Sequence, residues 1–461
     1  MADGTYSLSQ VLEVAKIHPF YNKNVEYPPD STAVQKALEL AAGDSKEQDL
    51  NVLPLLQKEN LYRIIERLNN DLSPHNTYRC SAYISMTGGG TGGLPLMFAT
   101  DTKENRTQRA VFGDLLRTCG VIAPQDWVLT MHTSGYFYRA LDLTSELFEN
   151  AGASVLCAGS RMTPAEVVEA LVHYHANVLT GDSTQIVKLA HYISTLPDNE
   201  RKNIRLNKVV YTSEALTEAQ EAHIIGVLGA VQIFSILGSA EGGPYALGNP
   251  SLTGNDQKPG TRDFIIDTRS VHVEILHPSA IDDLAAHGNT LPESESGIIV
   301  LTSLQRLRNP LVRYITGDIG SLHPMPATAS GKIPDADLPH FRVLRLAGRD
   351  RRFSFKWFGD YFEFHNLVSL MQTPGSGILQ WQVILGCLES SPQATLELRL
   401  LRAASGENLL SQDEFVELVE GFFHVFPESR HLFRINMVDN LEAFERSSTG
   451  NKVMNFVDRF H

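Results

Sequence analysis

The run SMTGGGTGGLP, from Ser85 to Pro95, sets five glycines and two threonines between apolar neighbours. Glycine loses more backbone freedom on folding than any other residue, so ordering such a run needs a compensating interaction. Backbone N–H groups converging on an anion, with threonine hydroxyls as further donors, would supply one. A flexible surface turn is the plain alternative. No Gly-Lys-Ser/Thr follows, and no helix start follows directly, so neither familiar phosphate signature is present. Further runs hold chemistry-bearing types. In ILGSAEGGP, Ile236 to Pro244, Glu241 occupies a glycine-rich turn after an apolar strand, where it suits a metal beside phosphate or is an exposed turn acid. YTSEAL, Tyr211 to Leu216, ends another strand with Ser213 and Glu214, and also reads as an acid before a helix. In PLVRYITGDIG, Pro310 to Gly320, Asp318 stands behind glycine at the end of a β run, where a carboxylate can accept both hydroxyls of a ribose; the plain reading is a turn aspartate with Arg313 as a surface cation. RSSTGNKV, Arg446 to Val453, sets Lys452 behind a small polar loop, able to deliver positive charge to an anionic transition state or to stay solvated.

The elements that must position these residues are legible from periodicity. Between about Thr100 and Asn249 helical patterns alternate with short β-rich runs: Arg109–Thr118, Trp127–Met131, Ala140–Ala151, Ala153–Leu156, Pro164–His175, Val178–Thr180, Thr184–Leu196, Lys208–Thr212, Thr217–Leu228 and Val231–Leu237. Such alternation predicts an α/β domain with a largely parallel sheet and ligands at strand ends. From Arg262 strands and turns dominate, which predicts a β-rich subdomain. After Gly348 the order becomes a strand at Phe353–Phe364, a helix near Asn366–Gln372, strands at Trp381–Cys387 and Thr395–Leu400, a helix at Gln412–Phe426 and a strand at Arg434–Val438. That β-α-β-β-α-β order predicts a small ferredoxin-like α+β domain. The expected division is a large domain over residues 1–347 with mostly parallel sheets, a hinge at 348–352 within the run GRDRR, and a C-terminal domain over 353–461.

The chain has 461 residues, a formal net charge of -14 and no lysine- and arginine-rich block, which argues against nucleic acid as a partner. No apolar run reaches the roughly 18 residues needed to cross a bilayer, and the N-terminus lacks a basic-then-apolar leader pattern. A soluble, cytoplasmic protein is expected. Cys80, Cys119, Cys157 and Cys387 have no metal-ligand spacing and are expected to be buried thiols.

Taken in order, the Gly/Thr loop, Gly238-Ser239-Ala240-Glu241, Arg313 to Asp318, Gly348-Arg349 and Gly450-Asn451-Lys452 resemble the adenylate-forming superfamily of acyl-CoA synthetases and adenylation domains. The likeness runs from about Ser81 to Val453 and is greatest to the phenylacetate–CoA ligase branch. It implies that Thr87, Gly88, Gly89, Gly90, Thr91 and Gly92 wrap the phosphates of ATP, with Thr91 a hydroxyl donor, and that Glu241 holds Mg²⁺ beside them. By the same resemblance Ser213 and Glu214 flank adenine, Gly238 and Ser239 lie against the nucleotide and acyl carboxylate, and Asp318 grips the ribose with help from Arg349. Lys452 would swing in with the mobile C-terminal domain during adenylation. In the family the acyl pocket lies beside the Gly-x-x-Glu segment, which nominates His132, Tyr136, Phe137, Ser235 and Pro244 for an aromatic or medium-sized acid. The implied reaction converts a small-molecule carboxylic acid and ATP to an acyl-adenylate, and then to a thioester with coenzyme A. A homodimer is implied as well.

Three departures stand out. Gly93 and Leu94 both intervene before Pro95, Gly348-Arg349 is followed by Asp350-Arg351-Arg352, and Asn451 is inserted between Gly450 and Lys452. They keep two other readings open: transfer of the acyl group to an amine or to a carrier protein in trans, and a catalytically weakened nucleotide- or acyl-binding protein.

Overall fold

Helices started by their own side-chain caps punctuate the middle of this chain. Asp182, Thr163 and Thr217 each cap the helix that follows them, and each is answered three residues later by Gln185, Glu166 or Gln220 in a reciprocal capping box. The computed structural model describes residues 4–43, 49–86, 97–135, 137–213, 215–254, 260–281, 290–349, 354–358, 360–388, 393–403, 409–447 and 451–460. In chain order these form α1 (Leu8–Lys16), α2 (Ser31–Gly43), α3 (Lys58–Asn70), β1 (Ala82–Met86), β2 (Met97–Asp101) and α4 (Thr102–Thr118). There follow β3 (Trp127–Thr130), the short pair β4 (Ser134–Gly135) and β5 (Tyr138–Arg139), α5 (Ala140–Asn150), β6 (Ser154–Cys157), α6 (Pro164–His173), β7 (Val178–Asp182), α7 (Ser183–Ser194), α8 (Asp198–Arg201), β8 (Lys208–Thr212), α9 (Glu218–Leu228) and β9 (Gln232–Ser239). Next come β10 (Gly243–Gly248), α10 (Pro250–Thr253), β11 (Arg262–Asp267), β12 (Val271–Leu276), β13 (Gly297–Ser303), β14 (Tyr314–Pro324) and β15 (Phe341–Arg349). The last elements are β16 (Ser354–Trp357), β17 (Asp360–Glu363), α11 (Phe364–Met371), β18 (Ile378–Cys387), β19 (Ala394–Arg402), α12 (Gln412–Phe422), β20 (Phe433–Met437) and β21 (Phe456–Asp458). The α/β class expected from the sequence is observed.

The chain divides into two compact units. The first takes residues 1–126, 134–156 and 234–348; the second takes 127–133, 157–233 and 349–461. In the first unit β10, β11, β15, β14, β13 and β12 lie side by side, and the pairs β10–β11, β11–β15, β14–β13 and β13–β12 are antiparallel. β9 pairs antiparallel with β10, from Ser239 opposite Gly243 to Ser235 opposite Gly248. Leu61, Ile65 and Leu68 of α3 pack with Phe98 and Ala99 of β2 against Tyr245, Phe264, Ile299 and Leu344, so one face of this sheet is covered by the N-terminal elements. The β1–β2 pair, Ser85 opposite Phe98 and Met86 opposite Met97, flanks the glycine-rich run.

In the second unit β3, β7 and β8 are parallel, with Thr130 opposite Thr180 and Asp182 opposite Thr212. β7 is buried along its whole length, as a strand covered on both faces requires. The C-terminal segment of the same unit forms a sheet in the order β20-β19-β18-β21 around Trp357, Phe415, Phe423 and Leu398. The strand expected over 353–364 is instead the hairpin β16–β17, Ser354 opposite Glu363 and Trp357 opposite Asp360. Phe358 turns the chain back with φ of 47°. Nothing in a run of aromatics marks such a reversal. Of the cysteines only Cys119 is buried; Cys80, Cys157 and Cys387 are exposed, which corrects the expectation of buried thiols. Cys157 closes an edge-like strand whose burial pattern is exposed at both ends, so its type said less than its position. Among the described residues no helix is long and apolar enough to cross a membrane.

Candidate active site

Parallel pairing sets the carboxyl ends of β3, β7 and β8 on one edge of the second unit, and each end carries a polar group. His132 follows β3 and is buried. Its Nδ1 shares a hydrogen bond of 3.1 Å with the Thr130 hydroxyl, and its Nε2 one of 3.0 Å with Thr212 Oγ1 at the end of β8. Thr212 Oγ1 lies 3.3 Å from Ser213 Oγ, so a chain of hydroxyl and imidazole groups runs along the edge. Ser213 is exposed and held at φ of 81°, a conformation serine rarely adopts. Burial drives the His132 pKa from 6.5 to about 3, with the Lys452 ammonium pushing the same way, so the ring is neutral at physiological pH.

Asp182 ends β7. It is 4% exposed and accepts from the Gln185 N–H at 2.8 Å, while Gln185 reaches across to the Met131 carbonyl at 2.7 Å. Burial pushes the Asp182 carboxyl up to about 6; the Gln185 N–H, the Lys452 ammonium and the Arg446 guanidinium oppose it. Lys452 therefore exerts its charge on both His132 and Asp182. Its own loop is closed locally: Ser447 N–H donates to the Lys452 carbonyl at 2.8 Å, Asn451 N–H to the Ser447 carbonyl at 3.1 Å, and Lys452 N–H to Ser447 Oγ at 3.2 Å. Asn451 sits at φ of 51°, which asparagine tolerates better than most residues.

In the first unit the β9–β10 turn carries Gly238, Ser239, Glu241 and Pro244. A Cβ on Gly238 would stand 2.6 Å from the Gly243 carbonyl oxygen, so glycine is required there by close backbone approach. Ser239 Oγ accepts from the Gly242 N–H at 2.9 Å. From outside the turn, Gln108 Nε2 donates to the Gly242 carbonyl at 3.0 Å and Arg306 donates to the Glu241 carbonyl. The Glu241 side chain is buried, and its Oε1 takes both Lys58 Nζ at 3.4 Å and the Tyr62 hydroxyl. Burial would raise this carboxyl; the Lys58 ammonium and the Tyr62 bond outweigh it and hold the group below its ordinary value. Lys58 reaches the turn because Leu56 bridges to Tyr314 and so sets the start of α3 beside β14.

Asp318 lies inside β14, not at the end of a β run as the sequence suggested. Ile298 pairs with Ile319 but Val300 with Ile315, so Thr316, Gly317 and Asp318 form a bulge, with Gly317 at φ of 80°. Asp318 N–H donates to Thr316 Oγ1 at 3.1 Å. Arg313 is a core residue, 1% exposed, paired with Glu274 at 3.2 Å and bonded to the Leu53 carbonyl, so the surface-cation reading does not hold. Arg349 ends β15.

The structure thus gathers His132, Ser213 and Lys452 in one unit and Gly238, Ser239, Glu241 and Pro244 on one turn of the other, with β15 and β11 standing between Asp318's strand and β10. Ser235 is buried with its hydroxyl against Gly248, and Phe137 is 74% exposed between β4 and β5. Thr87, Gly88, Gly89, Gly90, Thr91, Gly92, Tyr136 and Glu214 lie outside the described residues. Sequence reasoning missed Asp182, Lys58, Tyr62, Gln108 and Arg306. The motif Asp182-Ser183-Thr184-Gln185 was visible only as a helix start.

No family profile matches the sequence, and no curated protein sequence matches it. Solved structures do. The chain is similar to 2-hydroxyisobutyryl-CoA ligase in the postadenylation state with 2-HIB-AMP, at a TM-score of 0.65 and 17% identity over 97% of this chain and 87% of that one. The same ligase with 2-HIB-AMP and CoA in the thioesterification state gives a TM-score of 0.52 at 16% identity, with the same coverage. An ATP-bound RpMatB-BxBclM chimera gives 0.50 at 15% identity over 80% of this chain and 66% of that one. These likenesses show that the chain has the fold of the adenylate-forming ligases.

Proposed function

We propose that this protein is an acid–thiol ligase that activates a carboxylic acid with ATP and Mg²⁺ and then transfers the acyl group to coenzyme A. The observation that carries this reading is the gathering of Lys452, His132, Asp182 and the Thr212-Ser213 pair at the carboxyl edge of β3, β7 and β8, the edge where open α/β sheets bind ligands. The neighbours add chemical context: one carries an acyl-AMP, the same protein carries acyl-AMP and CoA, and a third carries ATP.

In the first half-reaction a carboxylate oxygen attacks the α-phosphorus of ATP, the bond to the bridging oxygen breaks, and pyrophosphate leaves. Lys452 neutralises charge that grows on the phosphoryl oxygens, a role worth about 3–4 kcal/mol for one well-placed donor. His132, neutral and held at both nitrogens, keeps its ring fixed beside that charge. The run 87–92 is assigned to the phosphates, Asp318 with Arg349 to the ribose, Ser213 with Glu214 to adenine, and Gly238 with Ser239 to the nucleotide and acyl carboxylate. Glu241 is assigned to Mg²⁺: a single buried carboxylate kept ionised by Lys58 and Tyr62 suits an ion that brings most of its ligands as phosphate and water. When bound, that ion supplies charge neutralisation on the pyrophosphate leaving group. In the second half-reaction the coenzyme A sulfur attacks the acyl carbon and AMP leaves, with residues 353–461 moving about a hinge at 348–352 between the two steps.

Pyrophosphate release, measured with ATP and Mg²⁺ across aromatic, branched and fatty acids, each with and without coenzyme A, tests the proposal. Acid-dependent release that becomes multiple turnover only with coenzyme A is the expected result. Release indifferent to coenzyme A points to another acceptor, and no release with any acid while ATP still binds overturns the catalytic reading.

A further inference from the structure

We infer that Lys58 and Tyr62 are positioning residues that hold one oxygen of the Glu241 carboxylate and leave the other to the divalent ion, which biases the site toward Mg²⁺ over Ca²⁺. The inference rests on the ligase reading, in which Glu241 holds the ion, and adds to it two residues outside the motifs of the resemblance.

Lys58 and Tyr62 stand one turn apart on α3, so they share a face of the helix. Both meet the carboxylate at the same atom: Lys58 Nζ lies 3.4 Å from Glu241 Oε1, and the Tyr62 hydroxyl bonds to that oxygen. The ammonium also sits over the Tyr62 ring, 5.1 Å from its centroid, so each prong of the grip steadies the other. A lysine as the first residue of α3 runs against the helix dipole, which favours acids at that end, and Gln57 before it gives no side-chain cap. Helix formation therefore does not account for a cation at this position, whereas the pair with Glu241 does. The backbone beneath the carboxylate is fixed as well: Arg306 donates to the Glu241 carbonyl and Gln108 Nε2 to the Gly242 carbonyl. Glu241 is 3% exposed, and with its backbone clamped and Oε1 taken it has little freedom to turn both oxygens toward one ion. Mg²⁺ demands near-octahedral geometry and is met by one or two carboxylates together with phosphate and water, whereas the larger Ca²⁺ has a flexible shell that takes a carboxylate through one oxygen or both. A carboxylate limited to one oxygen withholds from Ca²⁺ a contact that Mg²⁺ does not need.

Calorimetric binding of α,β-methylene-ATP, whose α–β bridge cannot be cleaved, with Mg²⁺ or with Ca²⁺ reads this bias without turnover. The ratio of the two dissociation constants cancels whatever a substitution does to both ions alike. The parent is expected to bind the Mg²⁺ complex more tightly. Tyr62→Phe, which keeps the ring and the net charge, should narrow the ratio by about three- to tenfold, and so should Lys58→Met, at a side chain more than half exposed. In a Glu241→Gln background Tyr62→Phe should leave the ratio unchanged, since it acts through the carboxylate. A parent without preference, a ratio unmoved in either variant, or a shift that persists in Glu241→Gln overturns the inference. Failure of the ligase reading alone shows as intact binding and bias with no pyrophosphate release from any acid, while a parent that binds the analogue with neither ion removes both.

Discussion

At the scale of single residues, Lys452 and His132 have opposite burdens. If Lys452 supplies charge to a transition state as proposed, Lys452→Ala should lower pyrophosphate release by about 100- to 1,000-fold, with ATP binding and melting temperature retained. Loss of binding in step with turnover would instead make it a ground-state contact. His132 bears on stability. Its folded-state pKa of about 3 lies below its ordinary 6.5, so its contribution is present above pH 6.5 and lost as the pH falls toward 3, where the unfolded chain takes a proton that the folded one refuses. That slope is about 1.4 kcal/mol per pH unit for each such group. His18, buried and likewise lowered to about 3, adds another. His132→Gln keeps hydrogen-bonding groups without the titration. Urea titrations from pH 7 to pH 4 should show a shallower acid decline in the variant, and an unchanged decline would mean that the ring is protonated in the fold.

At the scale of elements, two turns carry the argument. Gly238→Ala drives a Cβ into the Gly243 carbonyl oxygen, a backbone atom that cannot swing away. A loss of about 1–3 kcal/mol in urea is expected, together with weaker nucleotide binding because the Glu241 turn shifts. In the lysine loop, Asn451→Gly should preserve adenylation, whereas Asn451→Val, forced to φ of 51°, should reduce it while leaving the rest of the fold intact by circular dichroism. Much of this was legible in advance: β8 matches its predicted bounds, and β3, α5, α7, α9 and β9 begin or end within a few residues of theirs. Local alternation and capping fix those elements. The partners of Glu241 were not legible, because Tyr62 lies 179 positions away and only folding brings it near. Asp182 was hidden differently, by a local role as the cap of α7. Arg313 misled because its guanidinium is buried, paired with Glu274 and bonded to a carbonyl of a distant loop.

At the scale of the whole molecule, the last of the chain's passages from one unit to the other falls between Gly348 and Arg349, at the end of β15. Gly348 has φ of 115°, and a Cβ there would meet nothing within 4 Å. An alanine is therefore penalised through its backbone alone, by about 1 kcal/mol. If residues 348–352 are the hinge, Gly348→Ala should slow adenylation relative to thioester formation by about fivefold in rapid-quench measurements of each half-reaction. Equal effects on both steps would remove the hinge assignment. The Lys452 loop has a further consequence, for ancestry and detection. Against the Gly-Lys of the resemblance Asn451 is an extra residue, and it holds a left-handed backbone while its N–H and that of Lys452 bond back to Ser447. A length change here is tolerated only together with a residue type that accepts that backbone. Descendants of the same insertion should carry Asn, Asp or Gly at this position, and lineages lacking the insertion should show no such restriction. A search string that demands Gly-Lys passes over them all, while a query on the shape of the turn would gather them.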